Sequence, residues 1–297
     1  MNKKDEKQMK KMFGKLLIVA GVFIFAAIMM KDVLAERFSP LEGTEAESAS
    51  ASPNEVNSMT ISAENIHVHV IAEERNDISA SITGKSGKLY VTENGKTLGL
   101  TAKEKGFQFL NFFHQSSLVV RVPYAYKNEI LVRSSSGDVD LDGNGSLALR
   151  HLSAKSSSGN MTFKNAKIKD LEVKGSSGNT VLSELETETA SIRSASGNAS
   201  LAAVTGSFDV RMSSGNLNAS FQEINSPASL KLASGNVKMS LPEKGDFTVN
   251  AATTSGNINP SYPFDDKNLD QNKLTGKRGS GKHQIEIKVT SGNVTIR

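Results

Sequence analysis

The feature that most constrains the fold of this chain is a tripeptide, Ser-Gly-Asn or Ser-Gly-Asp, that recurs between residue 128 and the C-terminus. Its successive glycines are separated by 22, 19, 19, 18, 20, 21 and 36 residues. A period of about 20 residues is typical of a solenoid, in which short repeats stack and each packs only against its neighbours. The predicted turn residues of the repeat are Gly137, Asp138, Gly159, Asn160, Gly178, Asn179, Gly197, Asn198, Gly215, Asn216, Gly235, Asn236, Gly256, Asn257, Gly292 and Asn293.

Apolar and polar residues alternate on both sides of each of these glycines. Leu230 and Leu232 precede Gly235, for example, and Val237 and Met239 follow it. A period of two indicates β-strands, and no segment of the repeat region keeps the 3.6-residue period of a helix. The sequence therefore predicts an all-β solenoid, with about eight rungs stacked ~4.8 Å apart.

The Gly-Asn pair has a mechanical interpretation. Glycine tolerates a positive φ, and asparagine visits the left-handed region while it hydrogen-bonds neighbouring backbone. We expect the pair to turn the chain between two faces of each coil, with stacked Asn or Ser side chains forming ladders along the turn. The alternative is a sugar- or metal-binding strip, although the regular Asp of calcium-binding β-rolls is missing and only Asp138 replaces an Asn.

The solenoid is predicted to span residues 59–297, with an N-terminal β cap at 59–127 and the repeats at 128–297. Within the cap, Asn94-Gly95 separates two alternating segments and predicts a hairpin. The apolar segment 106–113 is expected to plug the first rung, the alternative being a surface patch that touches a membrane or partner. Residues 260–281 interrupt the repeat and are interpreted as a loop that covers the open end or edge of the stack.

A charged tail and an apolar run precede the solenoid. Residues 1–15 contain six lysines, and residues 16–30 carry no charge. Counted from Met12, with Lys15 reaching toward the headgroups, the apolar stretch spans roughly 28 Å, close to the ~30 Å hydrocarbon core. The lysines place the N-terminus inside. We therefore expect a cytoplasmic tail at 1–15, a transmembrane helix at 16–31 and an extracytoplasmic domain, in a single-pass protein of the cell membrane.

Two alternatives to the anchor stay open. Val33-Leu34-Ala35 fits a signal-peptide cleavage site after Ala35, and a buried core helix is the third interpretation. Residues 39–58 are acidic, rich in Ser and Ala and nearly devoid of large apolar side chains. Such a segment buries too little surface to offset its ordering entropy, so residues 32–58 are predicted to be a flexible linker.

Composition excludes several classes of protein. With 0 Cys, the chain has no disulfide, thiolate metal site or cysteine nucleophile. When the six lysines, Asp5 and Glu6 of the tail are subtracted from totals of 35 Lys+Arg and 31 Asp+Glu, 29 basic and 29 acidic residues remain. The pI of about 9.0 therefore comes from the tail. A neutral body argues against nucleic acid as a partner.

No pattern of residues predicts catalysis, a metal or a cofactor. Residues 276–282 (GKRGSGK) match the spacing of a phosphate-binding loop, but that motif requires a strand before it and a helix after it. His67 and His69 share one strand face without a third metal ligand nearby in sequence, so a solvated face is favoured. The serines lack a base with an orienting third group.

The Ser-Gly-Asn repeats, the Val-Pro strand before them and the apolar N-terminal run together resemble a bacterial family of Ser-Gly-Asn-repeat β-solenoids known as "putative adhesins". The resemblance implies a single-stranded right-handed β-helix outside the cytoplasm, no enzyme activity and a link to cell-wall antibiotic stress. It transfers no catalytic residues. We therefore expect an interaction protein whose partner is a cell-wall polymer or a membrane protein. The alternatives are a carbohydrate-active enzyme and a purely structural spacer.

Overall fold

The computed structural model describes residues 43–84, 87–104 and 116–297. All regular secondary structure in these ranges is β-strand, which confirms the all-β prediction. The strands are β1 (Thr44–Ala46), β2 (Ser48–Ala51), β3 (Ser58–Glu64), β4 (His67–Glu73), β5 (Ile78–Thr83), β6 (Gly87–Asn94), β7 (Thr97–Glu104), β8 (Ser117–Pro123), β9 (Glu129–Ser134), β10 (Val139–Ser158), β11 (Met161–Ser177), β12 (Thr180–Ser194), β13 (Ala199–Ser214), β14 (Leu217–Phe221), β15 (Ala228–Ser234), β16 (Val237–Ser240), β17 (Phe247–Ser255), β18 (Ile258–Pro260), β19 (Asp266–Asp270), β20 (Lys273–Arg278), β21 (His283–Ser291) and β22 (Val294–Ile296).

Each complete coil of the solenoid runs over three faces. In β11, residues 161–164 form a leading face directly after the Ser-Gly-Asn turn, 166–168 form a middle face, and 170–175 form a trailing face before the next turn. Asn144, Asn165, Glu184 and Ala203 have φ between 47° and 56° and bend successive coils between the leading and middle faces. The positive φ at this corner thus lets one long strand form both the leading face and the middle face of its coil.

Neighbouring coils pair in parallel and in register. On the leading face the order is β8, β4, β10, β11, β12, β13, β14, β16, β22, β18. On the trailing face it is β7, β3, β9, β10, β11, β12, β13, β15, β21, β17. Backbone hydrogen bonds therefore run along the axis of the stack, as in a solenoid.

The stacking order departs from the chain order at both ends. The last coil (β21 and β22) lies between the coil of β15 and β16 and the coil of β17 and β18. Likewise, β3 and β4 lie between the coil of β7 and β8 and the coil of β9 and β10. At the C-terminal end the chain builds the outermost coil before the coil that fills the gap. At the N-terminal end it builds the inner coil first and the outermost coil next, and β9 and β10 then pair with the free side of the inner coil. The order at the C-terminal end explains the glycine spacing of 36 before Gly292.

The core is a stack of inward-facing apolar residues, one or two from each face of each coil. On the trailing face Val173, Ile192, Val210 and Leu230 lie in adjacent rungs, and each is fully buried. Because alternate residues of a strand point to opposite sides, the intervening positions face outward. The surface of the solenoid therefore consists of columns of residues, one residue per rung.

The interruption at 260–281 closes one end of the stack, but as a hairpin rather than the predicted loop. β20 pairs antiparallel with β17, and β19 pairs with β20. Tyr262 packs against Phe264 (ring centroids 4.9 Å apart) and Phe247 (5.9 Å). The charged, exposed outer strand β19 protects the edge of the sheet, as edge strands require.

At the other end, part of the predicted flexible linker 32–58 is wrong. β1 pairs antiparallel with β6, and β2 pairs antiparallel with β5, so residues 44–51 extend the sheets. Ala49 and Ala51 pack against the core, and Val56 is buried. The hydropathy of this segment did not predict strands, because strands of short Ser and Ala residues are stabilised here mainly by backbone pairing at an open edge.

The hairpin predicted in the cap is present as β6 and β7. Its turn is Gly95-Lys96 rather than Asn94-Gly95, because Asn94 pairs with Thr97. Gly95 has φ 59°, in keeping with a two-residue turn that has glycine at its first central position.

The tail 1–15, the predicted anchor 16–31 and the apolar segment 106–113 lie outside the described residues. Within residues 43–84, 87–104 and 116–297, no helix is long and apolar enough to cross a bilayer.

Candidate functional site: the Ser-Gly-Asn edge

All of the predicted turn residues lie on one edge of the solenoid, between the trailing and leading faces. The glycines form a column in which the backbones of neighbouring turns touch. A Cβ added to Gly215 would overlap the carbonyl oxygen of Gly197, and one added to Gly235 would overlap that of Gly215, both far inside the 3.0 Å that real Cβ atoms respect. Gly215 and Gly235 also have φ of 116° and 130°. Both the positive φ and the close backbone approach require glycine at these turns.

The residue after each glycine forms a hydrogen-bonded ladder. The Oδ1 atom of Asn198 accepts bonds from the backbone N–H (3.0 Å) and the Nδ2 amide (3.2 Å) of Asn216, and Asn198 donates in the same way to Asn179 (3.1 and 3.2 Å). The ladder follows the stacking order: Asp138, Asn160, Asn179, Asn198, Asn216, Asn236, Asn293, Asn257. Each side chain satisfies the turn of the next coil.

The ladder ends near two histidines on β4 and two aspartates, Asp138 in the turn before β10 and Asp140 on β10. The backbone N–H of Asp138 donates to Nδ1 of His67 (3.1 Å), and Nδ1 of His69 lies 3.1 Å from the Asp140 carboxylate. These aspartates could not be paired with the histidines from the sequence, because the fold brings them together from about 70 residues away. No group of three or more His, Asp or Glu side chains in the described part of the chain is arranged to hold a metal ion.

The edge also carries a row of serines, one before each glycine, most of them exposed. Their register is continuous: Ser214 is opposite Ser234, Ser234 is opposite Ser291, and Ser291 is opposite Ser255. The edge therefore presents parallel rows of hydroxyl and amide groups along the solenoid axis.

Beside the serine row, the trailing face carries a row of positively charged residues, one in each of seven adjacent rungs. We refer to it as the basic column. It consists of Arg133, Lys155, Lys174, Arg193, Arg211, Lys231 and Lys288, in stacking order. All seven are outward-facing and at least partly exposed.

Three carboxylates lie in the neighbouring outward row, two residues before a cation in the chain. Glu286 contacts both Lys231 (3.1 Å) and Lys288, whose hydrogen bonds hold the pKa of its carboxyl below the ordinary value. Ion pairs between these rows also join Glu172 to Lys174 (2.8 Å) and Asp209 to Arg211 (3.1 Å) and Arg193 (4.0 Å). Seven cations and three anions leave these two rows with a net charge of +4.

The basic column was not predicted from the sequence, although the sequence carries a signal for it. In seven of the eight repeats a Lys or Arg precedes the serine of Ser-Gly-Asn or Ser-Gly-Asp by three residues, and the exception is Ala252. The neutral total of the body argued against a basic face, but a total does not show how charges are distributed. On the middle face an open groove is lined by Glu184, Glu186, Glu188 and Glu223, among other residues.

The phosphate-loop spacing at 276–282 has a different structural role. Residues 276–278 end β20, residues 279–282 form a turn, and β21 follows from His283, so no helix follows the motif. The backbone N–H of Gly279 donates to Asp265 (2.7 Å), and that of Ser280 donates to Asp246 (2.8 Å). These backbone hydrogen bonds hold the pKa of both carboxyls below the ordinary value. The donors that would face a phosphate are thus engaged by the protein's own carboxylates.

Comparison with curated proteins gives no match. Among solved structures, a "putative cell adhesion protein" from Clostridium sporogenes is 12% identical, with a TM-score of 0.32 and coverage of 86% of this chain and 98% of that one. A "putative adhesin" from Parabacteroides distasonis is 11% identical, with a TM-score of 0.46 and the same coverages. Another from Bacteroides fragilis is 14% identical, with a TM-score of 0.39 and coverage of 84% and 96%.

The family comparison is more extensive. The model of the family described as Toastrack DUF4097 matches residues 56–297, which include all of the Ser-Gly-Asn repeats and the whole N-terminal cap. The match begins near the start of β3 and ends with the last residue of the chain. The chain belongs to the Toastrack DUF4097 family.

Proposed function

We propose that this protein is a membrane-anchored, extracytoplasmic interaction protein of the bacterial cell envelope, that it serves in the response to cell-wall antibiotic stress, and that it catalyses no reaction. The observation that carries the proposal is the Ser-Gly-Asn edge. The rows of amides and hydroxyls on this edge, and the row of cations beside it on the trailing face, repeat along one axis. Such a surface suits an extended partner that is contacted at many equivalent positions.

Membership in the Toastrack DUF4097 family and the names of the similar solved structures support an adhesin-like role. The sequence of the first 31 residues supports the anchor, because six lysines precede an uncharged apolar run. The link to envelope stress rests on the resemblance to LiaG, the membrane-anchored accessory protein of an envelope-stress operon in Bacillus-type bacteria.

Protease treatment of intact cells tests the proposed location. The full chain, tagged at its C-terminus, is exposed to protease before and after lysis, with a cytoplasmic protein as the control. We expect the tagged domain to be cleaved in intact cells while the control survives. If the domain is protected in intact cells and is cleaved only after lysis, the proposed location is wrong.

The stress role is tested separately, in cells that carry variants of the edge. We expect changes of charge on the trailing face to alter the response to a cell-wall antibiotic, because they alter contact with the partner. An unchanged response, with normal protein levels, would favour the structural-spacer alternative.

A further inference from the structure

We infer that the basic column binds a linear phosphodiester polymer that lies along the solenoid axis. The inference deepens the proposed function, on which it rests, by naming the chemical class of the extended partner. It is carried by the arrangement of the seven cations in the sheet, the incomplete neutralisation of their charge and the row of serines beside them.

The arrangement is unfavourable for the free protein. Like charges directly opposite each other on neighbouring strands destabilise a sheet. Here six successive pairs are of this kind: Arg133–Lys155, Lys155–Lys174, Lys174–Arg193, Arg193–Arg211, Arg211–Lys231 and Lys231–Lys288. Arrangements that destabilise the free protein are expected at functional sites, where a bound ligand can offset the lost stability.

The carboxylates beside the column neutralise only part of its charge. Glu286 is shared by Lys231 and Lys288, and Asp209 is shared by Arg193 and Arg211. One anion cannot balance two cations, so each group retains a positive charge. The ion pair between Arg193 and Asp209 is also long, at 4.0 Å. A row of anions repeated along the axis would neutralise the charge that these two shared carboxylates leave.

The spacing suits a chain with one phosphate per repeat unit. Seven rungs at ~4.8 Å give a column of about 29 Å. In a glycerol-phosphate polymer six backbone bonds separate neighbouring phosphorus atoms, which corresponds to about 7 Å when extended, since three bonds of a peptide chain span ~3.5 Å. A slightly coiled polymer therefore places about one phosphate at each rung.

The side chains beside the column favour phosphate and disfavour nucleic acid. Arg, Lys and Ser are among the side chains with which proteins contact the phosphates of a polymer backbone, and the column and the serine row beside it together supply all three. Single-stranded nucleic acids additionally need aromatic side chains for base stacking. The outward rows that flank the column in the described residues contain Ser, Thr, Ala, Asn, Leu and carboxylates, without aromatic side chains.

The test measures binding of the full chain, in a non-ionic detergent, to synthetic poly(glycerol phosphate) at a series of salt concentrations. In the column variant, Lys155, Arg193 and Lys288 are changed to Gln, which leaves Glu172, Asp209 and Glu286 each with one cation. The control variant changes Lys167, Lys169 and Lys238 to Gln, an equal loss of charge away from the column, on the middle face, at the corner after it and on the leading face. Thermal unfolding shows that each variant is folded.

We expect the column variant to bind at least about tenfold more weakly at low salt, and its salt dependence to fall by about two units in the log–log slope, at ~0.7 per lost cation. The control variant should bind like the wild type. Equal weakening by both variants, or tighter wild-type binding of polygalacturonate or uncharged dextran than of poly(glycerol phosphate), would overturn the inference.

A gain-of-function variant provides an independent test. Ala252 is the gap in the column, between Lys288 on β21 and Lys273 on β20. Ala252→Lys should strengthen polymer binding about threefold or more at low salt; unchanged or weaker binding would contradict the inference. If the protein faces outward but does not bind the polymer, the inferred polymer is wrong and the proposed location stands. If the protein binds the polymer in vitro but lies inside the cell, the proposed location is wrong.

Discussion

The glycine column yields a prediction in which steric overlap can be separated from backbone strain. Gly215→Ala places a Cβ against the carbonyl oxygen of Gly197 and forces φ 116° on an L-residue. The unfavourable φ costs about 1–2 kcal/mol. The overlap costs about 1–3 kcal/mol more, the usual range for overpacking, because the touching atoms are backbone and the coils must separate. We therefore expect a total loss of about 2–5 kcal/mol.

Gly145→Ala is the matched control. Gly145 also has a positive φ, 72°, but a Cβ there meets nothing within 4 Å, so only the backbone strain of about 1–2 kcal/mol applies. Thermal unfolding of both variants should show a further decrease of roughly 2–12 °C in Tm for Gly215→Ala, at about 2–4 °C per kcal/mol for a domain of this size. Equal destabilisation of the two variants would refute the claim that turn-to-turn contact requires glycine.

Three further predictions concern the ladder, a corner and the terminal hairpin. Asn198→Ala should lower the free energy of unfolding by about 1–2 kcal/mol in urea titrations, because ladder bonds on both sides are lost; Asn218→Ala, at an exposed position outside the ladder, should have little effect, and equal effects would count against the ladder. Ala203→Asn should raise stability by about 0.5–1 kcal/mol, since asparagine tolerates φ 52° better than alanine does; a lower Tm would contradict this strain. Asp265→Asn should destabilise the protein at neutral pH. The native pKa of Asp265 lies below its ordinary value of 3.8. The difference in free energy of unfolding from wild type should therefore be complete above pH 3.8 and vanish as the pH falls through the lower native pKa. A difference that does not change with pH would show that the charge of Asp265 is irrelevant.

The period of the repeat made the Ser-Gly-Asn edge predictable. Glycine at a fixed position in every repeat indicates a position where only glycine fits, and Asn160, Asn179 and Asn198 could be expected to stack once the repeats were taken to form rungs. The order of the outer coils could not be predicted in this way. Because every repeat has a similar edge, the sequence alone does not distinguish a turn at Gly292 that follows Gly256 in chain order from one that lies between Gly235 and Gly256, as it does here.

The basic column was missed for a related physical reason. Lys174 and Arg193 are 19 residues apart in the chain but directly opposite in the sheet. Their proximity exists only after the coils have stacked, whereas a charge count averages over all faces. The strands at 44–51 were missed because their stability comes from pairing with β5 and β6, a tertiary effect that short Ser and Ala side chains do not signal.

The measurement that most directly tests the central claim, an edge that contacts an extended polymer of the envelope, is co-sedimentation of the full chain with purified cell walls at low and moderate salt. The account predicts that the wild-type protein sediments with walls at low salt and less at moderate salt. It also predicts that the variant with Lys155, Arg193 and Lys288 changed to Gln stays in solution, whereas the control with Lys167, Lys169 and Lys238 changed to Gln sediments. A wild-type protein that stays in solution under both conditions, or a column variant that sediments as well as the wild type, would contradict the account.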